Sequence, residues 1–354
     1  MFFFRKKISH IFVGPIPISN PSGQSICFSA SSAALEQKTI FDSNLRNPLS
    51  LIRFLFLLPL CCFTTSGVLY FTGSRTFQGF LRDLWVVFWA KVSNRKLINH
   101  IHGNDFKFFY SNSTAFVKKI IDLTYYRIDI LISPCKSIFQ HFSKYSNIRF
   151  EHVNNFSNLE LSAPIIQSSR FENQNIIFLS NISYSKGITK AIDACHLLHK
   201  RGLNIKLDIC GSIIGDDEMS YSDLKSIIDS SVDYPYIQFH GYVSNDIKAS
   251  LLSQSAIMLH PTSNDLAPLS IIEALCTGSF VISTDIGCIN KLLVGFNSIV
   301  CENQIMDIVT SVEEYFKLSI EERKMMALHN SKLANDKYSV NKYKSKIISI
   351  FDSL

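Results

Sequence analysis

Short apolar runs alternate along the whole chain with longer stretches whose apolar positions fall three and four residues apart. In the first half, HIFVG (10–14), VLYFTG (68–73), LINHIH (97–102), DILIS (129–133) and FEHVNN (150–155) predict strands, while FLRDLWVVFWAKVSNR (80–95) and SIFQHFSKY (137–145) predict helices. The second half repeats the rhythm with strands at NIIFLS (175–180), IKLDICG (205–211), YIQFHG (236–241), AIMLH (256–260), FVIST (280–284) and NSIVC (297–301). Strands alternating with helices predict parallel sheets covered on both faces. Five or six strands in each half predict an α/β chain of two Rossmann-like domains, 1–168 and 169–334. The polar, aperiodic NFSNLELSAPIIQSSR (155–170), broken by Pro164, predicts the link between them. The tail from about 305 reads as helices, and its last segment, 335–354, is expected to pack back toward the first domain. No repeat with a period of ~20–50 residues is visible.

One stretch departs from this rhythm. FLFLLPLCCFTTSGVLYF, 54–71, has no charge over 18 residues, which reaches the lower limit of ~17–25 residues for a membrane span. Pro59 and TTSG (64–67) interrupt it, and cutting there leaves an apolar helix followed by the strand VLYFTG. A buried helix, or one lying on a membrane surface, fits better than a span. At 47% hydrophobic and 18% charged residues, the chain is apolar for a soluble protein and too polar for a multi-span membrane protein.

The net charge of +6 hides an asymmetry. Residues 1–168 hold 18 Lys and Arg against 8 Asp and Glu, and residues 169–354 hold 17 against 21. Basic surface beside apolar surface suits anionic lipid or a phosphate-bearing substrate. Nucleic acid fits less well, because the basic residues are scattered. The nine cysteines form no CxxC pair and no zinc spacing. The start, MFFFRKKISHIFVGPIP, lacks the charged–apolar–cleavage order of a signal peptide. A cytoplasmic protein in peripheral contact with the inner face of the cell membrane is the expectation.

Two stretches carry chemistry. In FLSNISYSKGITKAIDACHLLHK (178–200) a strand ends at Ser180 and a helix begins near Gly187, with Ile188, Ala191, Ile192, Cys195 and Leu198 as its apolar stripe. Lys186 therefore stands at a helix N-terminus at the carboxyl end of a strand, where free N–H groups, the helix dipole and an ammonium suit a phosphate. A solvated loop lysine is the plainer alternative. In AIMLHPTSNDLAPLSIIEALCTG (256–278) a buried strand runs into a polar loop holding Asp265. Pro268 fits the first turn of the helix that follows, and Gly278 ends it. Glu273 lies about five residues into that helix, roughly 7–8 Å along its axis. The two acids cannot act as one close pair, but they can hold two separate groups of one extended ligand, such as the hydroxyls of a sugar and of a ribose. The N–H groups of Ala267, Leu269 and Ser270 are free to meet phosphate oxygens between them. A capping Asp with an unrelated Glu is the alternative.

HPTSNDLAPLSIIEALCTGSFVISTDIG (260–287) resembles the signature of retaining glycosyltransferases of family 4, with its two acids separated by seven residues. Pro261, Asp265, Glu273–Ala274, Gly278 and Thr284–Asp285–Gly287 match, with Asp in place of the usual Glu at 265. FLSNISYSKG is similar to the family's donor-phosphate stretch, with Lys186 and Gly187 in place and Asn181 where an Arg is usual. IQFHGYVSNDIKASLLSQSAIMLHPT (237–262) also fits, so the resemblance covers about residues 170–300. More loosely, Gly14–Pro15 and Gly23 resemble the family's first loop, where backbone must approach substrate closely, and HIHGNDF (100–106) resembles its HG element. Of its histidines, His102 is favoured over His100 as the one facing the sugar. His100 and His102 could instead be satisfied structural histidines, or ligate a metal with Asp105, but no further ligand cluster stands out and no metal is expected.

The resemblance implies a GT-B fold, with two Rossmann-like domains whose parallel sheets face across a cleft. It implies transfer of a sugar, with retained configuration and no cofactor, from a nucleotide-diphosphate sugar to a saccharide acceptor. It also implies that Lys186, Asn181, Gly187 and the amides at 267, 269 and 270 bind the diphosphate, that Asp265 and His102 hold the sugar, and that Glu273 holds the ribose. A lipid-diphosphate-linked acceptor of a surface polysaccharide pathway, capsule or O-antigen, would suit the basic, apolar first half. A nucleotide-sugar epimerase of the same fold and a non-catalytic binding module are the alternatives.

Overall fold

The computed structural model describes residues 7–354 apart from 18, 19, 46, 75, 158 and 160–168. Pro164, most of the expected link, and residues 1–6 lie outside the described residues. The chain divides into two compact units, Met1–Asn154 with Val340–Leu354, and Asn155–Ser339. Residues 155–157 join the second unit rather than a link, because Asn155 Nδ2 donates to the carbonyl of Ala267 at 2.7 Å and the Ser157 N–H to that of Tyr338 at 2.9 Å.

The first unit is built on a parallel sheet of β2 (His10–Gly14), β3 (Lys38–Asp42), β5 (Leu69–Thr72), β6 (Leu97–His100), β7 (Ile130–Ser133) and β8 (Arg149–His152), in the order β3-β2-β5-β6-β7-β8. Two-residue strands β1 (Lys7–Ile8) and β4 (Thr65–Ser66) pair separately. β5, β6 and β7 are buried at every position, as strands covered on both faces must be. β3 was not foreseen: KTIFD is an edge strand that buries only Phe41, so it carries no apolar run.

Helix α1 (Gly23–Ala33) was also unforeseen. Its serines read as loop, yet the Ser22 hydroxyl caps it and Cys27 and Phe28 face the core. Next come α2 (Pro48–Ile52), a π-helical turn Arg53–Leu57 and α3 (Leu58–Thr64), then α4 (Phe77–Val92), α5 (Phe106–Asn112) and α6 (Ala115–Tyr125). The apolar stretch is thus helical up to Thr64 and β-stranded at Thr65–Ser66 and from Leu69. Among the described residues no helix is long and apolar enough to cross a membrane.

The second unit has α7 (Ser169–Glu172), β9 (Gln174–Leu179), α8 (Ile188–Lys200), β10 (Ile205–Cys210), α9 (Tyr221–Ser231), β11 (Ile237–Gly241), α10 (Asn245–Gln254) and β12 (Ile257–His260). It continues with α11 (Leu269–Cys276), β13 (Phe280–Thr284), α12 (Ile289–Leu293), β14 (Ser298–Cys301), α13 (Ile305–Lys317) and α14 (Ile320–Lys337). Its sheet is parallel throughout, in the order β11-β10-β9-β12-β13-β14. Alternate residues of β9 point to opposite faces. Ile176 and Phe178 pack with Ile188, Ala191 and Leu198 of α8, while Ile177 and Leu179 pack with Ile271 and Leu275 of α11. The strand order reverses between β9 and β12, and in such sheets the crevice at the carboxyl ends of that pair is where ligands bind.

Helix α15 (Val340–Asp352) belongs to the first unit. Tyr343 on α15 shares a 2.6 Å hydrogen bond with Ser31, Tyr70 donates to Ser31, and the Tyr70 hydroxyl meets His100 Nδ1 at 2.6 Å. Phe351 stacks on Phe12 at 5.5 Å.

Candidate functional site

The two loops at the reversal of strand order carry Asn181, Lys186 and Gly187 after β9 and Asp265 and Ala267 after β12. After β9 the chain makes a 3-10 turn, Tyr184–Lys186, and enters α8 through Gly187 at φ +81°. A Cβ at Gly187 would stand 2.0 Å from the carbonyl oxygen of Pro261, so this position accepts only glycine without moving the neighbouring loop. The loops are tied where the Ser263 N–H donates to the Ser185 carbonyl at 2.8 Å. The Ser185 N–H in turn donates to Asp216 at 2.7 Å.

This tie brings Lys186 onto Asp265. The ammonium donates to Asp265 Oδ2 at 2.6 Å and to the carbonyl of Asn264 at 2.7 Å. His260, wholly buried at the end of β12, places Nε2 3.2 Å from the same Oδ2, and the Leu266 N–H donates to Oδ1. Burial alone would raise the Asp265 pKa. The His260 hydrogen bond and the Lys186 charge outweigh it and hold the carboxyl well below its usual range. The side chains of Lys186 and Asp265 keep 22% and 18% of their surface open, so a ligand can reach both. Gly287, at φ +61°, lets the loop after β13 close against the Asp265 carbonyl, which a Cβ would meet at 2.2 Å.

Helix α11 starts one residue later than expected. Pro268 is extended (φ −67°, ψ 132°) and acts as the N-cap residue without a side-chain hydrogen bond, so the first turn begins at Leu269. Among the described residues no acceptor meets the N–H groups of Ala267, Leu269 and Ser270. Those of Leu269 and Ser270 are free donors of the helix's first turn, and Ala267 lies just before it.

Glu273 is not brought to Lys186 and Asp265. It forms a second ion pair, its Oε1 accepting from Lys248 of α10 at 2.7 Å, with the two side chains only 4% and 11% open. Burial raises the Glu273 pKa, and the Lys248 charge opposes the rise without cancelling it. Two cation–carboxylate pairs thus stand along this stretch, an open one in the loop before α11 and a closed one within the helix. Asn181 is exposed in the loop after β9.

Gly14 and His102 belong to the first unit. Gly14 ends β2, and its close approach is to the ring of Phe28, which a Cβ would meet at 2.3 Å. His102 is half-buried beyond the end of β6, its ring 3.9 Å from that of the buried His100. Among the described residues no group of three or more His, Cys, Asp or Glu is placed to hold a metal ion.

Sequence reasoning missed His260 and Lys248. His260 opens HPTSND, where nothing in the sequence marks it as a partner of Asp265. Lys248 sits on α10, whose own sequence gives no sign that one lysine is buried against a helix 25 residues further on.

Residues 165–332, just under half of the chain, match the family model of glycosyl transferases group 1. No curated protein matches the chain by sequence. Among solved structures, HepE of Anabaena in complex with UDP and glucose is 14% identical over 98% of this chain and 100% of its own, with a TM-score of 0.73. Sucrose-phosphate synthase of Thermosynechococcus elongatus is 10% identical over 98% and 99%, with a TM-score of 0.75. A glycosyltransferase of Rickettsia africae is 15% identical over 98% of each chain, with a TM-score of 0.67. The fold is GT-B.

Proposed function

We propose that this protein is a glycosyltransferase that moves a hexosyl group from a nucleotide-diphosphate sugar to a saccharide acceptor with retention of configuration and without a metal ion. The observation that carries the reading is the meeting of Lys186 and Asp265 at the reversal of strand order. In a nucleotide sugar the anomeric carbon is bonded directly to the β-phosphate. A cation that grips the phosphate and an acid that grips the sugar hydroxyls must therefore stand close together, as these two do. The match of residues 165–332 to group 1 glycosyl transferases supports the same reading, as does the UDP named for HepE.

As the glycosidic bond breaks, negative charge gathers on the leaving diphosphate. Lys186, the N-terminus of α8 at Gly187 and the unpaired amides of Ala267, Leu269 and Ser270 would stabilise it in place of a divalent cation. Asn181 would add a neutral hydrogen bond. Asp265, held ionised by His260 and Lys186, would accept from the sugar hydroxyls. Glu273 would accept from the ribose hydroxyls, with Lys248 as its counter-ion. The departing phosphate would take the proton of the attacking acceptor, leaving the protein to position and stabilise charge.

The acceptor is read as a saccharide on a lipid diphosphate in surface polysaccharide synthesis, at the inner face of the cell membrane, with no role for nucleic acid. The basic first unit supports this. The test is release of nucleoside diphosphate from a panel of sugar nucleotides, with and without lipid-linked and soluble acceptors, in the presence of EDTA. The reading expects acceptor-dependent release unaffected by EDTA, with the product anomer matching the donor. Sugar turnover without any acceptor would replace it with an epimerase.

A further inference from the structure

The helical run 48–64 has an unusual surface. Phe54, Leu58 and Cys62, each four residues apart, are buried in the first unit. Leu49, Ile52, Phe56, Leu60 and Phe63, spaced by three, four, four and three, form an outward stripe, with exposures from 44% to 70%. A surface helix of a globular protein turns polar residues outward, whereas this one is apolar on both faces. The stripe continues onto α4, where Phe63 meets Trp89 edge-on at 5.9 Å. There Phe77, Leu81, Phe88 and Val92 recur on one exposed face of the helix. An exposed apolar patch of this extent marks a binding surface.

Charge selects the occupant. Between Asp42 and Asp83 the sequence has four arginines and no acid. Asp83 is buried and paired with Arg82, and Asp129 is held by Lys91 and Lys96. The first unit as a whole carries 21 Lys and Arg against 8 Asp and Glu, and the second 14 against 21. An apolar helical run that carries the exposed Arg53 and no acid, on a unit with an excess of basic residues, matches a bilayer whose headgroups are anionic. With no described helix long and apolar enough to cross, the run would lie in the interface rather than span it.

We infer that the outer faces of the 48–64 run and α4 form a membrane-docking surface that inserts at the headgroup–acyl boundary of an anionic bilayer. The lipid-linked reading of the acceptor gives this surface its purpose, and the inference deepens that reading.

The test uses the full chain with vesicles of phosphatidylcholine alone or mixed with phosphatidylglycerol, comparing wild type with the double variant F56E/L60E. Both positions are exposed, and melting curves check that the variant folds. Binding is expected with the mixed vesicles, falling with added salt, and weakening by about tenfold or more in the double variant. Transfer to a soluble acceptor, measured on the same samples, is expected to be unchanged in the variant. Absence of transfer to both soluble and lipid-linked acceptors in wild type would remove the proposed activity and leave the vesicle result to decide the surface. The inference is overturned if mixed vesicles do not bind, if both vesicle types bind equally, or if the variant binds like wild type. It is equally overturned if the face instead pairs two copies, seen as a dimer that becomes monomeric in the variant and is indifferent to vesicles.

Discussion

At the scale of single residues, the proposed chemistry rests on two ion pairs with different environments. Lys186 and Asp265 are partly open, and His260 and the Leu266 N–H hold the carboxylate without the lysine. Lys186→Ala should therefore leave the melting temperature nearly unchanged while lowering the transfer rate by about 10²–10³-fold; equal rates would take Lys186 out of the chemistry. The closed pair should behave oppositely. Lys248→Met leaves the Glu273 carboxylate buried without a cation, which should cost about 3–5 kcal/mol in denaturant unfolding, and Lys248→Met with Glu273→Gln should recover most of it. Donor binding should be lost in both. A double variant as unstable as the single one would show that the pair itself is not what holds α10 to α11.

The two acids also titrate apart. The Glu273 pKa is raised above its usual 4.5, and that of Asp265 lies well below its usual 3.8. A raised carboxyl pKa means that folding favours the protonated form, so the contribution of Glu273 to stability is present at low pH and lost as pH rises through its folded value. Asp265 has the opposite sign, stabilising above the usual aspartate value and losing this only as pH falls through its depressed one. Donor binding is thus expected to weaken on acidification as Glu273 takes its proton, while Asp265 stays ionised. Titrating binding against pH for wild type and Glu273→Gln checks this, and an unchanged acid limb in the variant would contradict it.

At the scale of elements, the loops after β9 and β12 work as one piece because glycine lets them touch. Gly187→Ala adds a Cβ against the Pro261 carbonyl at φ +81° and should cost about 2 kcal/mol or more. Thermal melting and donor binding should both fall, and normal values of both would show that the loops do not need this contact. The strand-to-helix transitions that carry Lys186 and Asp265 were legible, because a buried strand, a polar loop and an apolar stripe at helical spacing follow one another in the sequence. The edge strand β3 and the serine-rich α1 were not, since their placement depends on neighbours rather than on their own apolar periodicity. The closed pair was hidden for the same reason: Lys248 and Glu273 meet only after α10 and α11 are packed.

At the scale of the molecule, the second unit is locked by an arginine that no motif announces. Arg170, 1% exposed, donates to the carbonyls of Leu252, Ser255 and Thr277 and to the Ser279 hydroxyl, and burial lowers its pKa to about 10. Arg170→Leu would strand those carbonyls and should cost about 3 kcal/mol or more in denaturant unfolding; a smaller loss would show that water takes the arginine's place. The reversal of strand order between β9 and β12 turns two loops, distant in sequence, into one site. The central claim is that this site binds a sugar nucleotide through Lys186. Calorimetric titration of wild type and Lys186→Ala with a panel of nucleotide-diphosphate sugars, in EDTA, tests it most directly. The account predicts that at least one donor binds wild type and binds the variant at least about tenfold more weakly. Binding of none of them, or equal binding by both proteins, would contradict it.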